Sequence, residues 1–112
     1  CTICALKAAL AVLEKQPGKK VLVLGDLAEL GVDEIAIHKG LAALIERYDI
    51  DLFVAVGNLM RHAFEAYEGP KDYFLQQQQA ANYLLEHINT QQHILVKGSR
   101  GMRMETIVQA LL

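Results

Sequence analysis

The chain has 112 residues, 53% of them hydrophobic, which is enough for one domain with a buried core. Its net charge of -2, from 13 acidic and 11 basic residues, supplies no general field for nucleic acid or an anionic membrane, so any basic site must be local. No apolar run approaches the roughly 18 residues of a spanning helix and no leader pattern opens the chain, so a cytoplasmic protein is expected.

Cys1 and Cys4 form a C-x-x-C, but no second Cys or His pair stands at zinc spacing. They read as small apolar residues at a helix start, and their place at the first residue suggests a chain cut from something longer. Ile3, Leu6, Leu10 and Leu13 recur at helical spacing, and Pro17-Gly18 stops that helix. Val21 to Gly25 is a continuous apolar run of strand length. A second helix is expected from about Asp33, a candidate N-cap, with Ile37, Leu41, Leu44, Ile45 and Tyr48 on one face. Leu52 to Gly57 gives the second strand, and Met60, Ala63, Phe64 and Tyr67 a short third helix closed by Gly69-Pro70. Tyr73 to Leu75 reads as a brief strand, and Gln76 to Gln79 as a solvated helix entrance. Ala81, Leu84, Leu85 and Ile88 mark the fourth helix, Ile94 to Val96 the last strand, and Met104, Ile107, Val108 and Leu111 the last helix.

Apolar strands alternating with amphipathic helices call for a mostly parallel sheet covered on both faces. The expected fold is a three-layer α/β sandwich, Rossmann-like, with strand order 3-2-1-4, and residues 1–112 form one domain. In that order the first and last strands are neighbours across the reversal point, where such sheets bind ligands outside the carboxyl ends of the strands. The turns meeting there are Gly25-Asp-Leu-Ala-Glu-Leu-Gly31 and Lys97-Gly-Ser-Arg-Gly-Met-Arg103.

In the second turn Gly98 and Gly101 permit a sharp bend and close approach to a ligand, and the free N–H groups opening the last helix favour an anion. Ser99 adds a hydroxyl donor and Arg100 a forked donor for a carboxylate or phosphate. The plain alternative makes Ser99 a helix cap and Lys97, Arg100 and Arg103 surface charges. In the first turn, bounded by Gly25 and Gly31, Asp26 and Glu29 add carboxylates that would face the basic turn, a dipolar crevice suited to a zwitterion. The plain alternative has Asp26 organising its own turn and Glu29 solvated. His38, near the start of the second helix, is close enough to orient one of those carboxylates. His62, His87 and His93 receive no role, and no metal site is expected. The first turn lacks G-x-G-x-x-G, Pro17-Gly-Lys-Lys20 precedes a strand and is no phosphate loop, and Ser99 has no recognisable base.

Lys7-Ala-Ala-Leu10, Pro17-Gly18, Val23-Leu-Gly-Asp-Leu-Ala-Glu-Leu-Gly31 with His38 after it, Val56-Gly57 and Leu95-Val-Lys-Gly-Ser-Arg-Gly-Met-Arg-Met-Glu105 together resemble the C-terminal domain of the Mur ligases. The likeness covers nearly the whole chain and is nearest to the branch that adds D-alanyl-D-alanine to UDP-N-acetylmuramoyl-tripeptide in peptidoglycan synthesis. It implies a three-domain ATP-dependent amide ligase, with ATP and magnesium held mainly by a central domain that is not in this chain. This domain would dock on that centre and present the incoming dipeptide, whose amine attacks an acyl phosphate. Lys97, Ser99 and Arg100 would then hold the acceptor carboxylate, and Asp26, Glu29 and His38 would lie near the reacting amine and the nucleotide. No catalytic residue is expected in this chain alone, which should not turn over ATP. The family's Asn-Ala-Asn-Pro-x-Ser entrance segment is replaced here by Cys1-Thr-Ile-Cys-Ala-Leu6. Two rivals remain on the residues alone: a non-catalytic module that captures an amino acid or nucleotide, and a protein-interaction domain with no ligand.

Overall fold

The computed structural model describes residues 2–28, 31–89 and 91–112. Helices and strands alternate: α1 (Thr2–Glu14), β1 (Lys19–Gly25), α2 (Glu34–Ile45), β2 (Leu52–Val56), α3 (Met60–Ala66), β3 (Lys71–Phe74), α4 (Gln77–His87), β4 (Gln92–Lys97) and α5 (Glu105–Leu111). The strands form one sheet in the order β3-β2-β1-β4 with every pairing parallel, as the apolar runs require.

Successive side chains of a strand point to opposite faces, and here both faces are covered. Leu22 and Leu24 of β1, with Phe53 and Ala55 of β2, pack beneath α1, α2 and α3 through Leu6, Leu10, Leu13, Leu41, Ile45 and Met60. The intervening Val21, Val23, Val54 and Val56 pack beneath α4 and α5 through Ala80, Ala81, Leu84 and Ile107. The central strands therefore carry no polar alternation, because neither of their faces meets water.

Element ends differ from the sequence expectation where an edge strand lacks a strong apolar signature. β3 begins at Lys71 and ends at Phe74, and Leu75 lies outside it with half its surface exposed. Leu85 and Val108, expected on buried helix faces, are exposed. Asp33 occupies the N-cap position of α2 without a side-chain capping bond, because a short 3-10 turn, Gly31–Asp33, leads into the helix. The C-x-x-C pattern begins at Cys1, which lies outside the described residues.

Asp72 of β3 accepts a 2.5 Å hydrogen bond from the Tyr83 hydroxyl of α4, with the Phe74 ring 5.2 Å from that of Tyr83. This bond, aided by burial and the Asp72 charge, pushes the Tyr83 phenol from its ordinary 10.0 up to about 12. Between those two pH values the unfolded chain releases the proton while the folded chain keeps it, so stability present below pH 10.0 is lost as pH rises toward 12. Phenolate absorbance should follow a last tyrosine ionising near pH 12, and Tyr83→Phe should remove that final step.

Candidate functional site

Parallel pairing sets Leu24 opposite Lys97, so the turns leaving β1 and β4 start side by side. They are bonded directly: the Ser99 N–H donates to the Asp26 carbonyl at 2.9 Å. Beside this junction lies a cavity of about 590 Å³ lined by Lys97, Gly98, Ser99, Arg100 and Gly101 from one turn and Leu27 and Ala28 from the other. Thr2 and Ala5 of α1 complete its wall. The meeting of the turns was legible from strand order; the contribution of α1 was not, since nothing in its spacing says where its first turn lies.

The structure places Lys97, Ser99 and Arg100 together in the wall of this cavity. Among the described residues neither Lys97 nor Arg100 has a carboxylate within ion-pair distance, the one ion pair being Lys20–Asp49 at the other end of β1. The acidic side is different. Asp26 does not line the cavity; its Oδ1 accepts the Met60 N–H at 2.7 Å, 34 residues along the chain, and so satisfies a free donor at the start of α3. It organises a neighbouring helix, where the sequence suggested either a ligand's ammonium or its own turn. Glu29 lies outside the described residues.

His38 is fully buried, and both ring nitrogens are used. Nε2 lies 3.0 Å from the Leu27 nitrogen and must accept that N–H, so Nδ1 carries the hydrogen and donates to the Glu34 carbonyl at 2.7 Å. The expectation that His38 orients a carboxylate is corrected: it holds the backbone of the first turn from behind.

The glycines divide in a way that the sequence did not reveal. A Cβ on Gly25 would stand 2.6 Å from the Met104 sulfur, and one on Gly98 2.7 Å from Met104 Cγ. At Gly57, which has φ +109, a Cβ would meet Asp26 Oδ1 at 2.6 Å and Met102 Cε at 2.8 Å. These glycines make room for two methionines and a carboxylate. Gly101 and Gly31 face open space, Gly31 with φ +81. The last helix also starts later than expected: a 3-10 turn, Arg100–Met102, intervenes before α5 opens at Glu105, so the cavity is not built on that helix's N-terminus.

Residues 2–100 match the family model described as "Mur ligase, glutamate ligase domain". The chain belongs to the Mur ligase family. It is 38% identical over 109 residues to the UDP-N-acetylmuramoyl-tripeptide--D-alanyl-D-alanine ligase of Escherichia coli (strain K12), covering 96% of this chain and 24% of that one. The Bacillus subtilis (strain 168) protein of the same name is 33% identical over 115 residues, with 96% and 25% covered. Among solved structures, crystal structure I of MurF from Acinetobacter baumannii superposes with a TM-score of 0.86 at 34% identity, over 96% of this chain and 24% of that chain. The chain thus spans about a quarter of the length of the curated relatives it matches.

His38→Leu keeps most of the buried volume but strips the Leu27 N–H of its acceptor. The expected loss is about 1–3 kcal/mol, read as a lower urea midpoint with an unchanged slope.

Proposed function

We propose that this chain is the C-terminal, acceptor-presenting domain of an ATP-dependent amide ligase that joins D-alanyl-D-alanine to UDP-N-acetylmuramoyl-tripeptide in peptidoglycan synthesis. The observation that carries the reading is the cationic cavity at the junction of the β1 and β4 turns, in a chain whose relatives bear that enzyme's name. In this reading residues 1–112 are one domain of a longer ligase, docked on a central ATP-binding domain and working in the cytoplasm.

Arg100 offers a planar fork that matches a carboxylate, Ser99 a hydroxyl donor and Lys97 a mobile ammonium. Held there by its carboxylate end, a dipeptide leaves its amine to be directed at the acyl phosphate that the central domain makes from the tripeptide and ATP. The amine forms the new amide bond and phosphate departs. This domain supplies positioning and local charge. A role for Glu29 beside the amine belongs to the proposal; Asp26 and His38 act in it through the backbone they hold.

ATP and magnesium would supply activation of the tripeptide carboxylate. Among the described residues no group of three His, Cys, Asp or Glu side chains gathers to hold a metal ion, and the sequence has no phosphate loop after a strand, so no step is assigned to them within this chain.

In the full-length ligase, Arg100→Ala should raise KM for D-alanyl-D-alanine by about 10–100-fold, the worth of a charge-assisted hydrogen bond, while KM for ATP stays within about twofold of the parent. An unchanged dipeptide KM would sink the reading.

A further inference from the structure

The run Gln76 to Gln79 holds four identical side chains, of which Gln76, Gln78 and Gln79 are exposed and Gln77 is half-buried. The side-chain amide of Gln77 donates to the backbone carbonyl of Met102, 25 residues away. Met102 closes the 3-10 turn that begins at Arg100, one of the residues that line the cavity.

Within that turn the Arg103 N–H donates to the Arg100 carbonyl at 3.1 Å, and the Met102 side chain lies beside Gly25 and Gly57. Ser99, at its N-cap, makes no side-chain capping bond, and Gly101 at its centre faces open space. Its start is tied by the Ser99 N–H to the Asp26 carbonyl, and internally Met102 donates to the Ser99 carbonyl at 3.0 Å. Its end passes into Arg103, which is left-handed with φ 48, a conformation that costs a residue with a Cβ roughly 1–2 kcal/mol. The angle φ of Arg103 describes rotation of the Met102–Arg103 peptide plane, and the oxygen of that plane is the atom Gln77 holds. The N–H of the plane is bonded to the Arg100 carbonyl, and the Gln77 amide holds its other side, so the plane and the left-handed residue after it are fixed from both edges.

We infer that Gln77 is a positioning residue for the acceptor turn: its amide, anchored on α4, fixes the Met102 carbonyl and thereby the direction in which Arg100 meets a carboxylate in the cavity. The inference rests on the acceptor-site reading above. Gln77 touches no reacting atom, and its effect is confined to the geometry of the turn.

The test uses the full-length ligase with Gln77→Glu, which keeps the shape but loses the donor, Gln77→Lys, which keeps a donor of similar reach, and Gln78→Glu, which adds the same charge one residue along. Two readouts are taken: steady-state KM for D-alanyl-D-alanine and for ATP, and amide hydrogen exchange over residues 99–103. Gln77→Glu should speed exchange in the turn and raise the dipeptide KM about 5–20-fold with KM for ATP unchanged. Gln77→Lys should recover most of both effects, and Gln78→Glu should show neither. Unchanged exchange in Gln77→Glu overturns the inference whatever the kinetics, as does an equal effect from Gln78→Glu. Faster exchange with an unchanged dipeptide KM, where Arg100→Ala does raise it, overturns the inference and leaves the acceptor site standing. If Arg100→Ala is also silent, the acceptor-site reading itself fails and takes the positioning role with it.

Discussion

Parallel pairing of β1 with strands on both sides is the constraint from which the cavity follows. With β2 on one flank and β4 on the other, the carboxyl end of β1 is bracketed by the turns that follow both neighbours. Asp26, the first residue beyond β1, serves both flanks. Its carbonyl takes the Ser99 N–H on the β4 side, and its carboxylate takes the Met60 N–H at the start of α3 on the β2 side. One residue thus ties the cationic turn to a neighbouring helix without lining the cavity itself. The carboxylate satisfies a helix donor that otherwise lacks a partner, which gives an acid at that position a structural role.

Space at this edge is as tightly specified as hydrogen bonding. Met104 packs where Gly25 and Gly98 lack side chains, and Met102 reaches Gly25 and Gly57. An unbranched thioether fits a narrow gap between backbones that a branched side chain would not enter. These contacts hold the turn after β4 down on the sheet. With Met104 buried beneath, the exposed part of the turn is short, and Arg100 and Gly101 border the cavity from a base that cannot slide.

The fold was legible because its signals are strong: Val21 to Leu24 and Phe53 to Val56 are apolar at every position, which only a sheet covered on both faces explains. Lys97, Ser99 and Arg100 were legible as well, since strand order alone brings their turn to the reversal point. The acidic wall was less so, because the direction of a single Asp side chain depends on which donor is nearest. For Asp26 that donor is Met60, 34 residues away in sequence. The glycines misled for a related reason. Composition registers a missing side chain, but not whether a ligand or a methionine fills the space. The Gln run carried no periodicity that would single out Gln77, whose partner is set by how α4 lies against the turn.

The distribution of charge gives the site its direction. Lys97 and Arg100 border the cavity without a carboxylate partner among the described residues, whereas Lys20, at the opposite end of β1, is paired with Asp49. Solvated cations left unpaired cost the folded chain little, because water screens them. In the proposed function, a carboxylate that entered and displaced water would meet the same charges in a medium of lower polarity, where they attract more strongly. The gain is realised only if the guanidinium already faces the guest, since turning a flexible loop would consume much of it as ordering entropy. A turn fastened at Ser99, at Met102 and beneath Met104 has its backbone ordered in advance, which lowers that cost. The sheet edge therefore spends Asp26, its glycines and its methionines on rigidity, and leaves Lys97 and Arg100 without a carboxylate partner among the described residues.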